Sequence, residues 1–220
     1  MTPKLSPTSY ALLGLLDSGP FSAYELTKHM KRSALAELWP RTEASLYNEP
    51  KVLMAHGLAT ATPDATGARA RTIYAITPAG RRALRAWLRT PGDGLVFECE
   101  AAMKAFFGDA GTLADLRSQL RALAGQIATV EPSPAATLRD LRDGPVRFPE
   151  RQHYTAMSAD LISRLRLTVH AWATEWADRT DQWSSVHLDD ESRREAVTVL
   201  DDRIADVERA IAAVVNGDRR

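Results

Sequence analysis

The sequence of 220 residues has a single cysteine, no net charge and no long apolar run. With Cys99 alone, an intrachain disulfide and a four-cysteine zinc site are both excluded. No apolar stretch approaches the roughly 20 residues needed to span a bilayer, and the amino terminus lacks the charged-then-apolar pattern of a secretory signal. These absences imply a cytoplasmic protein with no membrane partner. The histidines, His29, His56, His153, His170 and His187, never fall three or four residues apart, so no metal site is expected. There is no glycine-rich phosphate loop, no G-x-S-x-G elbow and no carboxylate pair that separates from the acidic background. Neither a catalytic centre nor a cofactor is expected, and Cys99, flanked by Glu98 and Glu100, reads as a packing residue.

The zero net charge conceals an asymmetry. Residues 1–90 carry 12 Lys/Arg against 6 Asp/Glu, and residues 91–220 carry 16 against 22. A basic first part joined to an acidic remainder points to a polyanion partner for the first part only.

Punctuation along the chain places the elements. Ser6-Pro7 is a helix start, with Ser6 as N-cap and Pro7 in the first turn. Ser22 and Glu25 form a capping box for a second helix, with Phe21 placed to staple its entry. An irregular connection, A-L-A-E-L-W-P-R, leads to Thr42 as the N-cap of a third helix. Gly57 stops that helix. L-A-T-A-T and R-A-R-T-I-Y-A-I then read as the two strands of a hairpin, with Tyr74 and Ile76 inward and Arg69 and Arg71 on the other face. Thr77-Pro78 opens a further helix. Three helices, a hairpin and a helix spell a winged helix-turn-helix. The fold class is therefore mostly α with a small β-hairpin, divided into a winged helix-turn-helix DNA-binding head (1–90) and a helical domain (95–216).

The second part reads as helix nearly throughout. Leu116, Leu120, Leu123, Ile127 and Val130 alternate spacings of four and three, as in a coiled-coil seam. A short helix is expected around Leu138 and Leu141, and a long one from Glu150 to about Trp183. On the long helix Leu161, Leu165, Trp172 and Trp176 share a face. Val197, Leu200, Ile204, Val207, Ile211 and Val214 make a second seam. Leu161, Leu165, Trp172, Trp176, Leu200, Ile204, Val207 and Ile211 are the candidate dimerisation residues. Trp172 and Trp176 are also candidates for an aromatic box around a planar effector, although aromatics at this spacing more often serve core or interface.

A winged helix places its third helix in the major groove and its wing against neighbouring backbone. Arg41, Thr42, Ser45, Tyr47, Asn48 and Lys51 supply polar and cationic groups for such a helix, and Arg69 and Arg71 supply guanidinium groups for the wing. Pro50 interrupts this segment. An interior proline costs a helix roughly 3 kcal/mol, so the segment is either one bent helix or two short ones.

The pieces L-L-G-L-L, A-Y-E-L, S-L-Y with G-L behind it, and R-T-I-Y-A-I-T-P-A-G-R-R-A-L resemble the PadR family of bacterial transcriptional regulators. E-A-A-M-K-A-F-F-G-D and the later Trp-bearing helix resemble the virulence-activator-type helical domain of one branch of that family. The resemblance implies a homodimeric repressor of double-stranded operator DNA, relieved by a small aromatic effector, with residues 95–216 as the dimerisation and effector-sensing domain. A helical protein–protein scaffold whose winged head does not read DNA is the alternative from another class.

Overall fold

Each of the four longer helices of the amino-terminal head begins where a side chain closes its first turn. In this computed structural model, which describes residues 5–64, 71–129, 133–144, 148–187 and 189–217, Ser6 caps α1 (Pro7–Leu16) by accepting from the Ser9 amide at 3.1 Å. Ser22 and Glu25 make the reciprocal box at the start of α2 (Ala23–Lys31), at 3.2 Å and 2.8 Å. Such caps satisfy amides that the helix itself leaves without partners. The connection that follows is not wholly irregular, because Leu35–Leu38 form a short helix, α3.

The third long element, α4 (Glu43–Ala55), starts at Thr42, whose hydroxyl accepts from the Ser45 amide at 3.3 Å. It runs through Pro50 without interruption, so the segment is one helix, not two. Its end is a Schellman motif. Gly57 takes a left-handed φ of 67°, its amide donates to the Met54 carbonyl, and the Leu58 amide donates to the Leu53 carbonyl.

The hairpin forms as expected from β2 (Ala59–Asp64) and β3 (Arg71–Ile76), with Tyr74 and Ile76 buried. The structure adds a strand that the sequence pattern did not reveal. β1 (Phe21–Ser22) pairs antiparallel with β3, Phe21 opposite Tyr74, giving the order β1-β3-β2. Two residues are too few to show a period of two; the pairing comes from tertiary contact, with Phe21 buried in the head's core. α5 (Pro78–Trp87) follows with Thr77 as N-cap. Leu12, Leu13, Leu16, Leu26, Met30, Leu46 and Leu53 make the centre of this core.

The remaining helices are α6 (Glu100–Phe106), α7 (Leu113–Thr129), α8 (Pro134–Asp143), α9 (Gln152–Thr180) and α10 (Asp190–Gly217). Contacts divide the chain into one unit of residues 1–96 with 134–165, and another of 97–133 with 166–220. In the first, Phe148 packs edge-on to Phe21 at 6.3 Å, and Arg151 donates to the Gly14 carbonyl at 2.8 Å. Both contacts tie the start of α9 to the head.

In the second, Thr112 and Asp115 close the start of α7, and the two hydrogen bonds from Thr112 hold the Asp115 carboxyl below the usual carboxylate range. Leu120 and Leu123 of the α7 seam are buried; the side chain of Ile127 and all of Val130 lie outside the described residues. Arg117 donates to the Thr180 carbonyl at 3.0 Å, and Arg121 to Asp181 at 2.7 Å. Among the described residues no helix is long and apolar enough to cross a membrane.

Candidate nucleic-acid interface

Helix α4 has two faces, and the fold uses them differently. Leu46, Pro50 and Leu53, spaced by four and three, are buried against α1 and α2. Thr42, Ser45, Tyr47, Asn48 and Lys51 are all exposed. The proline thus lies on the inward face, where its ring packs into the core, and the polar residues are left facing solvent. Arg41, just ahead of the cap, is exposed but folded back. Its guanidinium lies 4.2 Å from the centre of the Trp39 ring and donates to the Pro40 carbonyl at 2.7 Å. Trp39 is in turn fixed by a 2.9 Å hydrogen bond from its indole N–H to the Thr8 hydroxyl.

Two further devices fix α4, and sequence reasoning missed both. Glu49, half-buried on α4, accepts from the hydroxyls of Ser9 and, at 3.2 Å, Ser6. Its negative charge sits at the start of α1, where the helix dipole is favourable to an anion. Nothing in the local pattern marks this contact, which spans about 40 residues of sequence. Just past the carboxy-terminal end of α4, Thr77 accepts from the Gly80 amide at 3.0 Å and donates to the Gly57 carbonyl at 2.8 Å, while its own amide donates to the Leu58 carbonyl. One residue therefore caps α5, closes the wing and holds the end of α4. The sequence marked Thr77 as a cap but not as this junction.

In the wing, Arg71 is exposed at the start of β3, in register with Asp64 at the end of β2. The two form an ion pair at 2.7 Å, and this hydrogen bond raises the Arg71 guanidinium above its ordinary range. Arg69 lies outside the described residues. The structure thus gathers Thr42, Ser45, Tyr47, Asn48 and Lys51 on one exposed helix, with Arg41 turned onto Trp39 and Arg71 held by a carboxylate.

The candidate dimerisation residues fall into two environments. Leu200, Ile204, Val207 and Ile211 on α10 are between 54% and 61% exposed, although they make a continuous apolar seam. Leu161 and Leu165 on α9 are also exposed. Trp172 and Trp176 are half-buried instead, and Trp176 meets Trp183 edge-on at 6.3 Å. His170 approaches the Ala124 carbonyl at 3.2 Å rather than an acidic residue.

Residues 12–86 match the model of the transcriptional regulator PadR-like family. The negative transcriptional regulator PadR of Bacillus subtilis (strain 168) is 32% identical over 80 residues, which are 36% of this chain and 43% of that protein. The match thus spans less than half the length of this relative. The fold is similar to that of Bacillus subtilis PadR solved in complex with operator DNA, with a TM-score of 0.64 and 23% identity over 78% of this chain and 98% of the other. It is also similar to the same protein solved with p-coumaric acid, with a TM-score of 0.61 and 21% identity over 82% and 100% of the two chains.

Proposed function

We propose, for a chain whose residues 12–86 match the PadR-like family of transcriptional regulators, a homodimeric repressor that reads operator DNA through α4 and is relieved by a small-molecule effector. The family is one of regulators, not enzymes. The observation that carries the reading is the division of α4. Its apolar face is fixed into the core, and Ser45, Tyr47, Asn48 and Lys51 are left exposed on a helix tied down at its middle by Glu49 and at its carboxy-terminal end by Thr77. A helix held in this way can enter a major groove without losing the conformational freedom that a mobile segment would lose.

In this reading Ser45 and Asn48 meet base edges. Thr42, Tyr47 and Lys51 reach phosphates or sugars. Arg71 exchanges Asp64 for a phosphate, and Arg41 is released from Trp39 when DNA is present. Arg69 is assigned to the wing by its sequence position alone. Residues 1–90 supply this surface, and residues 95–216 supply self-association and effector sensing.

The exposed α10 seam supports the dimer. An apolar stripe over this length of helix is a surface that soluble chains rarely leave uncovered. A second copy then brings a second α4 to a two-fold-related half-site roughly 34 Å away, one turn of duplex. Trp172 and Trp176, with Leu161 and Leu165, complete the set of residues assigned to association and effector sensing.

Fluorescence anisotropy with duplex from the chain's own promoter tests the proposal. The wild type is expected to resist a large excess of random duplex, and Ser45→Ala with Asn48→Ala is expected to abolish that resistance. Equal displacement of wild type by promoter and random duplex would leave the scaffold alternative standing.

A further inference from the structure

The fold gathers Trp172, Trp176, Trp183 and Phe106 around a cleft of about 600 Å³ within the second unit. That volume lies in the range of small-molecule sites, which are mostly apolar with a few placed polar groups. Trp183 is fixed by its indole N–H, which donates to Glu195 at 2.9 Å. Trp172 and Trp176 donate their indole N–H groups to no protein acceptor among the described residues.

The charges around the cleft decide what it can hold. Among the described residues Asp109 is the one charged residue lining it; it is exposed and forms no ion pair there. The neighbouring cations are already engaged. Arg117 is bound to the Thr180 and Trp183 carbonyls and to Asp181. Arg121 is bound to Asp181, and Arg179, which lies 5.3 Å over the Trp176 ring, is bound to Glu175 and Glu195. An aromatic carboxylate entering this cleft would meet Asp109 with like charge and find each neighbouring guanidinium among the described residues, those of Arg117, Arg121 and Arg179, already committed. A flat cation would gain from the negative faces of the indole rings and from the carboxylate.

We propose that this cleft binds a planar aromatic cation, stacked among Trp172, Trp176 and Trp183 with its charge toward Asp109. Binding stands on the cleft alone. Only its consequence for transcription rests on the repressor reading, for which it names the chemical class of the effector.

The test is isothermal titration calorimetry of the full chain, without DNA, against N-methylquinolinium and against 2-naphthoate. N-methylquinolinium is expected to bind saturably and about tenfold tighter than 2-naphthoate, with the gap closing to about threefold in Asp109→Asn. Equal or tighter binding of 2-naphthoate, no saturable binding of either probe, or an unchanged gap in Asp109→Asn would each overturn the proposal. So would heats that disappear as the chain self-associates with rising concentration, because the cleft would then be covered by a second copy. Operator affinity, measured separately without either probe, reports on the repressor reading and leaves the calorimetric result untouched.

Discussion

Lys51 gives the interface its simplest electrostatic test. Its ammonium is exposed on the polar face of α4 and forms no ion pair among the described residues, so Lys51→Ala removes a charge without leaving an acidic partner unsatisfied. A phosphate neutralised by one cation contributes about 0.9 to the slope of log affinity against log salt, so a dimer losing two should show a slope flatter by about 1.8. Between 50 and 200 mM salt, wild type should therefore lose about 12-fold more affinity than the variant. Anisotropy titrations on promoter duplex and on random duplex measure both slopes. A phosphate contact changes the two alike. Parallel wild-type and variant lines on both duplexes would refute the placement of Lys51 at the backbone, and a change confined to promoter duplex would make it a base reader instead.

Asp64→Asn should act in the opposite direction, because it frees Arg71 for phosphate. The salt dependence on random duplex should steepen by about 0.9 per protomer, and the effect should vanish when Arg71→Ala is added; persistence there would exclude the ion pair as its cause. Gly80→Ala should destabilise the head, since a Cβ there would lie 2.2 Å from the Leu58 carbonyl oxygen and 2.8 Å from Ile76. Overpacking of this kind costs about 1–3 kcal/mol, and a melting temperature equal to wild type in calorimetry would show that the junction between wing and α4 yields freely. If the chain dimerises through α10 as proposed, Ile204→Asp with Ile211→Asp should convert dimer to monomer in light scattering after size exclusion. An unchanged dimer mass would remove α10 from the interface.

The parts of this fold that could be read from sequence are those whose cause is local. Ser6, Ser22, Thr42, Thr77 and Thr112 each cap a helix because a hydroxyl and an amide three residues away suffice to make the motif. Gly57 is legible for the same reason, since the left-handed turn it occupies favours glycine. The spacing of Pro50 from Leu46 and Leu53 marks it as an inward residue, but local rules alone leave open whether the helix breaks. Core packing around Leu46 and Leu53 keeps it helical through a residue that disfavours it.

What the sequence concealed depends on distant partners. β1 exists only because β3 lies beside it, and Glu49 is significant only because Ser6 and Ser9 reach it from another helix. For the candidate interface, composition supplied the residues of α4 but not their availability. Arg41 and Arg71 looked equally ready for DNA in sequence, yet one lies against Trp39 and the other is held by Asp64. In the second unit, helical spacing marked Trp172 and Trp176, while Trp183 joins them through the chain's turn after α9.

Hydroxyl-radical footprinting of the chain's own promoter tests most directly the claim that the exposed face of α4 reads DNA as a dimer. Two protected half-sites about one helical turn apart are predicted for wild type, with protection lost in Ser45→Ala plus Asn48→Ala while the variant remains folded and dimeric. A wild-type pattern that is uniform along the duplex, or protection that survives in the double variant, would contradict it.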